Sequence, residues 1–158
     1  MTDLSETEFK VFIDAVTHFF THQTSEPAVV RASYLSDPAA LNFDYTGLIT
    51  LSGRFRGCVY FTAHGRMLRE LLRALQEPDV HEDNLLDAVG EIANTIAGNV
   101  RRHFGDALEI SVPVKIRGAA SEIKSSVRAR PFAILIGWHR HEAAVVIDLE
   151  PVTMGKVG

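Results

Sequence analysis

One cysteine, Cys58, is the entire thiol content of the 158-residue chain, so no intramolecular disulfide forms and nothing points to an oxidising compartment. It lies in the apolar run Cys58-Val59-Tyr60-Phe61 and reads as an inert buried thiol. Positive charge is also scarce. Sixteen Lys and Arg against 20 Asp and Glu leave a formal charge of −4, which removes the broad attraction to phosphate backbones and anionic lipid on which many nucleic-acid and membrane-surface binders depend. No apolar run reaches the roughly 18 residues of a membrane span, and the first residues are acidic where a secretory signal is basic. The expectation is a cytoplasmic protein that binds neither nucleic acid nor membrane.

Signatures of self-contained catalysis are missing as well. No glycine-rich phosphate loop of the P-loop or dinucleotide kind occurs, and Ser111 and Ser121 have no nucleophile-elbow context with a His and an acid. His18 and His22 stand four apart on a helical stretch but find no third ligand, and His139 and His141 bracket Arg140 in a polar turn. The sequence therefore predicts no metal or cofactor of its own.

What the chain does have is the length and composition of one globular domain, 1–158, with 46% hydrophobic and 23% charged residues. Apolar residues from Phe9 to Phe20 recur at three- and four-residue spacing behind a Ser5 or Thr7 cap, predicting a helix over 8–22. Strands are expected at 29–35, 45–52 and 56–62, the last two forming a hairpin about Ser52-Gly53. A helix over 65–75 and a longer one over 83–104, stopped at Gly105, follow. Strands at 108–116, 132–138 and 143–149 close the chain, the last pair joined by a turn at 139–142. Phe19-Phe20 and Leu71-Leu72 read as core. The order α-β-β-β-α-α-β-β-β predicts a two-layer α+β fold with a largely antiparallel sheet and packed helices. It also hints at a duplication, helix plus three strands occurring twice with a helix between.

The stretch Asp87-Ala88-Val89-Gly90-Glu91-Ile92-Ala93-Asn94-Thr95-Ile96-Ala97-Gly98-Asn99 is the unusual one. With Asp87 at zero, Glu91 falls near about 40°, Asn94 near about −20° and Gly98 near about 20° on a helical wheel. Leu85, Val89, Ile92, Ala93, Ile96 and Val100 gather on the opposite, core-facing side. A merely solvated face would use better helix formers than Asn and Gly, and Gly costs roughly 1 kcal/mol against Ala. Gly98 on the stripe, and Gly90 beside it, suggest close approach of another backbone or a partner. Glu91 offers a charge for a partner's cation. The Asn94 carboxamide, donor and acceptor at once, suits the orientation of a water molecule. The stripe fits assistance to hydrolysis of a bond that another molecule has activated, and it supplies no nucleophile.

These residues resemble the chemotaxis phosphatases of the CheX, CheC and FliY group, whose signature is Asp or Ser, three residues, Glu, two residues, Asn, and a downstream Pro. Here it reads Asp87, Glu91, Asn94 and Pro113, Pro113 arriving sooner after Asn94 than in the family pattern. The resemblance extends to the Phe-rich first helix, the strand Gly47-Leu48-Ile49-Thr50-Leu51-Ser52-Gly53 and the closing strand Val145-Val146-Ile147-Asp148-Leu149. It implies removal of the aspartyl phosphate from a CheY-like receiver domain. Glu91 would then pair with the receiver's active-site lysine and Asn94 orient the attacking water, with Asp87, Gly98 and Pro113 at the partner surface. Mg²⁺ would belong to the receiver. Val11, three residues after Glu8, stands where a second motif needs Asn, so the resemblance is to the one-site CheX type, which further implies a homodimer. The alternative is a non-catalytic adaptor that binds a response regulator or a flagellar-switch component.

Overall fold

In a computed structural model describing residues 4–34, 41, 43–118 and 131–152, the first element is a helix marked by its sequence at both ends. Helix α1, Glu6–Thr24, is capped by Ser5. Its Oγ accepts from the Glu8 amide at 3.1 Å, while the Ser5 amide donates to Glu8 Oε1 at 2.9 Å. This reciprocal pair selects Ser5 over Thr7 as the cap. Phe12, Val16, Phe19 and Phe20 form the buried face, and Ser25 ends the helix in the left-handed region at φ 61°.

Strands β1 (Val29–Tyr34), β2 (Tyr45–Gly53) and β3 (Phe55–Ala63) precede helices α2 (Gly65–Ala74) and α3 (Glu82–Phe104). A 3-10 turn at Gly105–Ala107 leads to β4 (Leu108–Ile110), β5 (Val114–Arg117), β6 (Phe132–Trp138) and β7 (His141–Pro151). Gly105, at φ 72°, supplies the expected stop after α3. The seven strands form one antiparallel sheet in the order β1-β6-β7-β3-β2-β4, with β5 also on β2. This is an α+β fold. β3 and β7 pair at the centre, and the first strand of each half crosses to the other half, β1 to β6 and β4–β5 to β2. The order has the symmetry that the expected duplication implies.

Two strand expectations need correction. The single strand expected at 108–116 is two. Leu51 faces Ile110 in β4, but Leu48 faces Val114 in β5, so the three residues Ser111, Val112 and Pro113 oppose only Ile49 and Thr50. That is a one-residue β-bulge. Pro113 has no amide to give to the ladder, and Ser111 patches the gap: its amide donates to the Thr50 carbonyl and its Oγ accepts from the Thr50 amide, both at 2.9 Å. Val112 is pushed out to 82% exposure. The last turn is also tighter than expected, because Trp138 pairs with His141 across His139 and Arg140 alone. Leu35 and Ser121 lie outside the described residues.

Alternation along the strands divides the sheet into two faces. Ile49, Leu51, Val59, Phe61, Val145 and Ile147 join the helices in the main core, while Cys58, Tyr60, Ala133 and Val146 form a small cluster of their own. Burial raises the Cys58 thiol to a pKa of about 12, in keeping with the inert role expected of it. Phe19, Phe20, Leu71 and Leu72 are buried as anticipated. No helix among the described residues is long and apolar enough to cross a membrane.

Candidate functional site

The core side expected of α3 is the one observed: Leu85, Val89, Ile92, Ala93, Ile96 and Val100 are all buried. Gly47 of β2 permits this seating. A Cβ at that position would lie 2.2 Å from the Val89 carbonyl oxygen and 2.7 Å from its carbon, so strand and helix backbones meet there directly. A lone glycine inside a strand pattern is a signal of such an approach, and it was available in the sequence.

Polar contacts fix the helix along its length. Glu82 accepts from the Tyr45 hydroxyl at 2.9 Å and pairs with Arg117. Arg101 Nε donates to the Leu108 carbonyl at 3.0 Å, and Lys115 Nζ donates to Asp87 Oδ1 at 2.6 Å. β2 and β5 thus hold the first two turns of α3, and β4 its last. Side chains on a framework so pinned keep a defined geometry.

The remaining outward stripe divides into spent and unspent groups. Asp87 is engaged by Lys115. Glu91 is exposed, and among the described residues its carboxylate takes part in no hydrogen bond or ion pair; only its backbone carbonyl is used, accepting from Thr95 Oγ1 at 2.8 Å. The half-buried Asn94 carboxamide has no hydrogen-bond partner among the described residues either. Gly98 faces open space, with nothing within 4 Å of where its Cβ would be. Gly90 differs from the expectation. It is buried, and a Cβ there would meet Lys115 Cγ at 3.0 Å and Cε at 3.2 Å, so its clearance serves a side chain of the same protein. Pro113 sits in the bulge two residues before Lys115, and from this segment it is Lys115 that reaches the stripe.

On the other flank of the stripe a groove of about 520 Å³ opens between the helices, lined by Phe19, Leu71, Leu75, Ala88 and Ile92, with Asp87 and Glu91 at its edge. Leu75 is 39% exposed there. No group of three or more His, Cys, Asp or Glu among the described residues is placed to hold a metal. His18 and His22 stack on each other, with ring centroids 3.9 Å apart.

His139 and His141 do more than close a turn. His139 Nε2 pairs with Glu26, just past α1, and its Nδ1 lies 2.7 Å from Glu70 Oε2 on α2; His141 Nε2 lies 3.4 Å from the other Glu70 oxygen. Hydrogen bonds to Glu26 and then Glu70 raise the His139 pKa above its ordinary value, while the bond from His139 lowers that of Glu70. Glu26 and Glu70 are far from His139 in sequence, so the contact left no local signal.

Three helices on one antiparallel sheet, with an acid and an amide presented outward on the longest helix, define a two-layer α+β protein whose longest helix carries the candidate site. The chain belongs to the CheX family of chemotaxis phosphatases, whose model matches residues 45–137, a span that includes Glu91, Asn94 and Pro113. No curated protein matches it in sequence. Among solved structures it is similar to a CheC-like superfamily protein from Shewanella sp. PV-4, with a TM-score of 0.80, 17% identity and coverage of 93% of this chain and 99% of that one. A CheX from Vibrio vulnificus gives 0.77, 19%, 91% and 99%. A CheX–CheY–BeF3–Mg²⁺ complex from Borrelia burgdorferi gives 0.71, 16%, 90% and 97%. At these identities the likeness to solved structures is one of fold.

Proposed function

We propose that the protein is a phosphatase that accelerates hydrolysis of the aspartyl phosphate on a CheY-like receiver domain. The observation that carries this reading is the unspent pair on α3. Glu91 and Asn94 stand about one turn apart on the outward stripe without side-chain partners among the described residues, while the neighbouring Asp87 is neutralised. A similar fold, the CheX of Borrelia burgdorferi, occurs in complex with CheY, BeF3 and Mg²⁺, which supports the choice of partner.

In this reading Glu91 pairs with the receiver's active-site lysine, and Asn94 enters the site to hold water in line with phosphorus. Water attacks, the bond between phosphorus and the aspartyl oxygen breaks, the carboxylate is regenerated, and the water's protons leave with inorganic phosphate or pass to solvent. Positioning is the main contribution in such a transfer. Mg²⁺ is the receiver's. Asp87, Gly98 and Pro113 lie along the docking surface, where Gly98 leaves room for the partner backbone. Dimerisation through the β1 edge belongs to the same reading: β1 pairs only with β6 among the described residues and exposes Val29 and Tyr34.

The test is a screen of the host's phosphorylated receiver domains for faster phosphate loss in the presence of this protein. At least one receiver is expected to respond, and Glu91→Ala to weaken its binding by about 2–5 kcal/mol if the ion pair is buried on docking. Binding without faster phosphate loss identifies an adaptor instead.

A further inference from the structure

We propose that Lys115 is a phosphoryl-recognition residue, the group through which this protein favours the phosphorylated form of its partner. The inference rests on the phosphatase reading and adds to it a residue outside the acid-amide motif.

Three observations converge on this side chain. Its stem lies across α3 in the notch left by Gly90, where a Cβ would be 3.0 Å from Cγ and 3.2 Å from Cε. Its ammonium is held 2.6 Å from Asp87 Oδ1, and the two side chains remain 41% and 63% exposed. Asn94 is four residues beyond Gly90, so it lies on the same face one turn on, and helical side chains lean towards the N-terminus. The ammonium, held at Asp87, thus stands at one end of the stripe of α3 that continues through Glu91 to Asn94.

The charge of the partner decides what such a cation is for. An aspartyl phosphate presents anionic oxygens, and Asp87 and Glu91 by themselves would repel it. In the free protein Lys115 neutralises Asp87, which leaves Glu91 alone for the receiver's lysine. An ammonium has three donors, and among the described residues Asp87 is its one side-chain partner. The remaining donors are free to bond a non-bridging phosphoryl oxygen on docking. Lys115 moves no proton in this role. It binds charge, and Gly90 is there so that it reaches the stripe.

A merely structural Lys115 would strap β5 to α3 and treat both forms of the partner alike. The two roles separate when affinity is measured for a responding receiver loaded with Mg²⁺ and beryllofluoride, and again for the same receiver with Mg²⁺ alone. The variants are Lys115→Met, which keeps the stem over Gly90, and Lys115→Arg, with thermal melting as a check on folding. Lys115→Met is expected to reduce the loaded-to-unloaded affinity ratio about tenfold, the scale of one lost hydrogen bond to a charged group, and Lys115→Arg to restore most of it. A wild-type ratio in a folded Lys115→Met that binds and dephosphorylates overturns the inference alone. A wild-type protein that speeds phosphate loss from no receiver overturns the phosphatase reading, and the inference with it.

Discussion

Gly47→Ala tests the seating of the functional helix. The new methyl carbon would lie 2.2 Å from the Val89 carbonyl oxygen, 2.7 Å from its carbon and 3.0 Å from the Gly90 amide nitrogen. Carbon atoms in contact sit about 3.5–4.0 Å apart, so α3 and β2 must separate by roughly 1 Å. Both sides of the contact are backbone within regular elements, and no side-chain rotation relieves it. Overpacking of this kind costs about 1–3 kcal/mol. Replacing Gly by Ala also narrows the unfolded ensemble, which returns about 0.4–1 kcal/mol. A net loss near 2 kcal/mol at the upper end of the overpacking range lowers the melting temperature of a chain this size by about 4–8 °C. Differential scanning calorimetry measures it, and turnover should fall too, because misplacement of a positioned group by about 1 Å is costly. A melting temperature equal to or above that of the wild type would refute direct backbone contact between β2 and α3.

Gly98 should behave in the opposite way. With open space around it, Gly98→Ala is expected to raise stability by about 1 kcal/mol in chemical denaturation, whereas Gly98→Arg should leave the fold intact and weaken receiver binding. Loss of stability in Gly98→Ala would place a hidden neighbour there. The His139 cluster predicts a pH window. The His139 pKa is raised, so its stabilisation is complete below the ordinary value of 6.5 and is lost as pH rises through the folded-state value. The Glu70 pKa is lowered, so its share is present above 4.5 and is lost as pH falls through the folded-state value. The clasp is therefore most stabilising between about pH 4.5 and 6.5. Trp138, the single tryptophan, stacks on His139 at 3.9 Å, so its fluorescence should change as the imidazole titrates. His139→Gln should remove that titration and flatten the stability profile in this window.

Those contrasts follow what the sequence could and could not carry. The two faces of α3 were legible because both are written in one contiguous stretch at helical spacing, and burial of Val89, Ile92 and Ile96 opposite exposed Glu91 matches the wheel. The β2–β3 hairpin was legible from a local turn signal, and so was a cap at Ser5 or Thr7, between which the reciprocal bonds of Ser5 and Glu8 decide. The bulge at Ser111–Pro113 was not, because a proline in a strand-like run reveals neither the register on each side nor that Ser111 mends the ladder through Thr50. Gly90 reads in sequence as clearance for another backbone or a partner, because its occupant, Lys115, comes from a strand that approaches only in the folded chain. Local patterns reported faces and ends. The pairs that tie the site together, Asp87 with Lys115, Glu82 with Arg117 and Gly47 with Val89, depend on tertiary approach.

The central claim is that Asn94 positions the water that attacks a receiver's aspartyl phosphate. Its most direct measurement is the rate of phosphate loss from a responding receiver alone, with wild-type protein and with Asn94→Ala, at matched occupancy of the complex. The account predicts acceleration by the wild type and a loss of about 10²-fold or more of that acceleration in the variant, the scale of removing one group that acts on the transition state. Equal acceleration by the two proteins would contradict it.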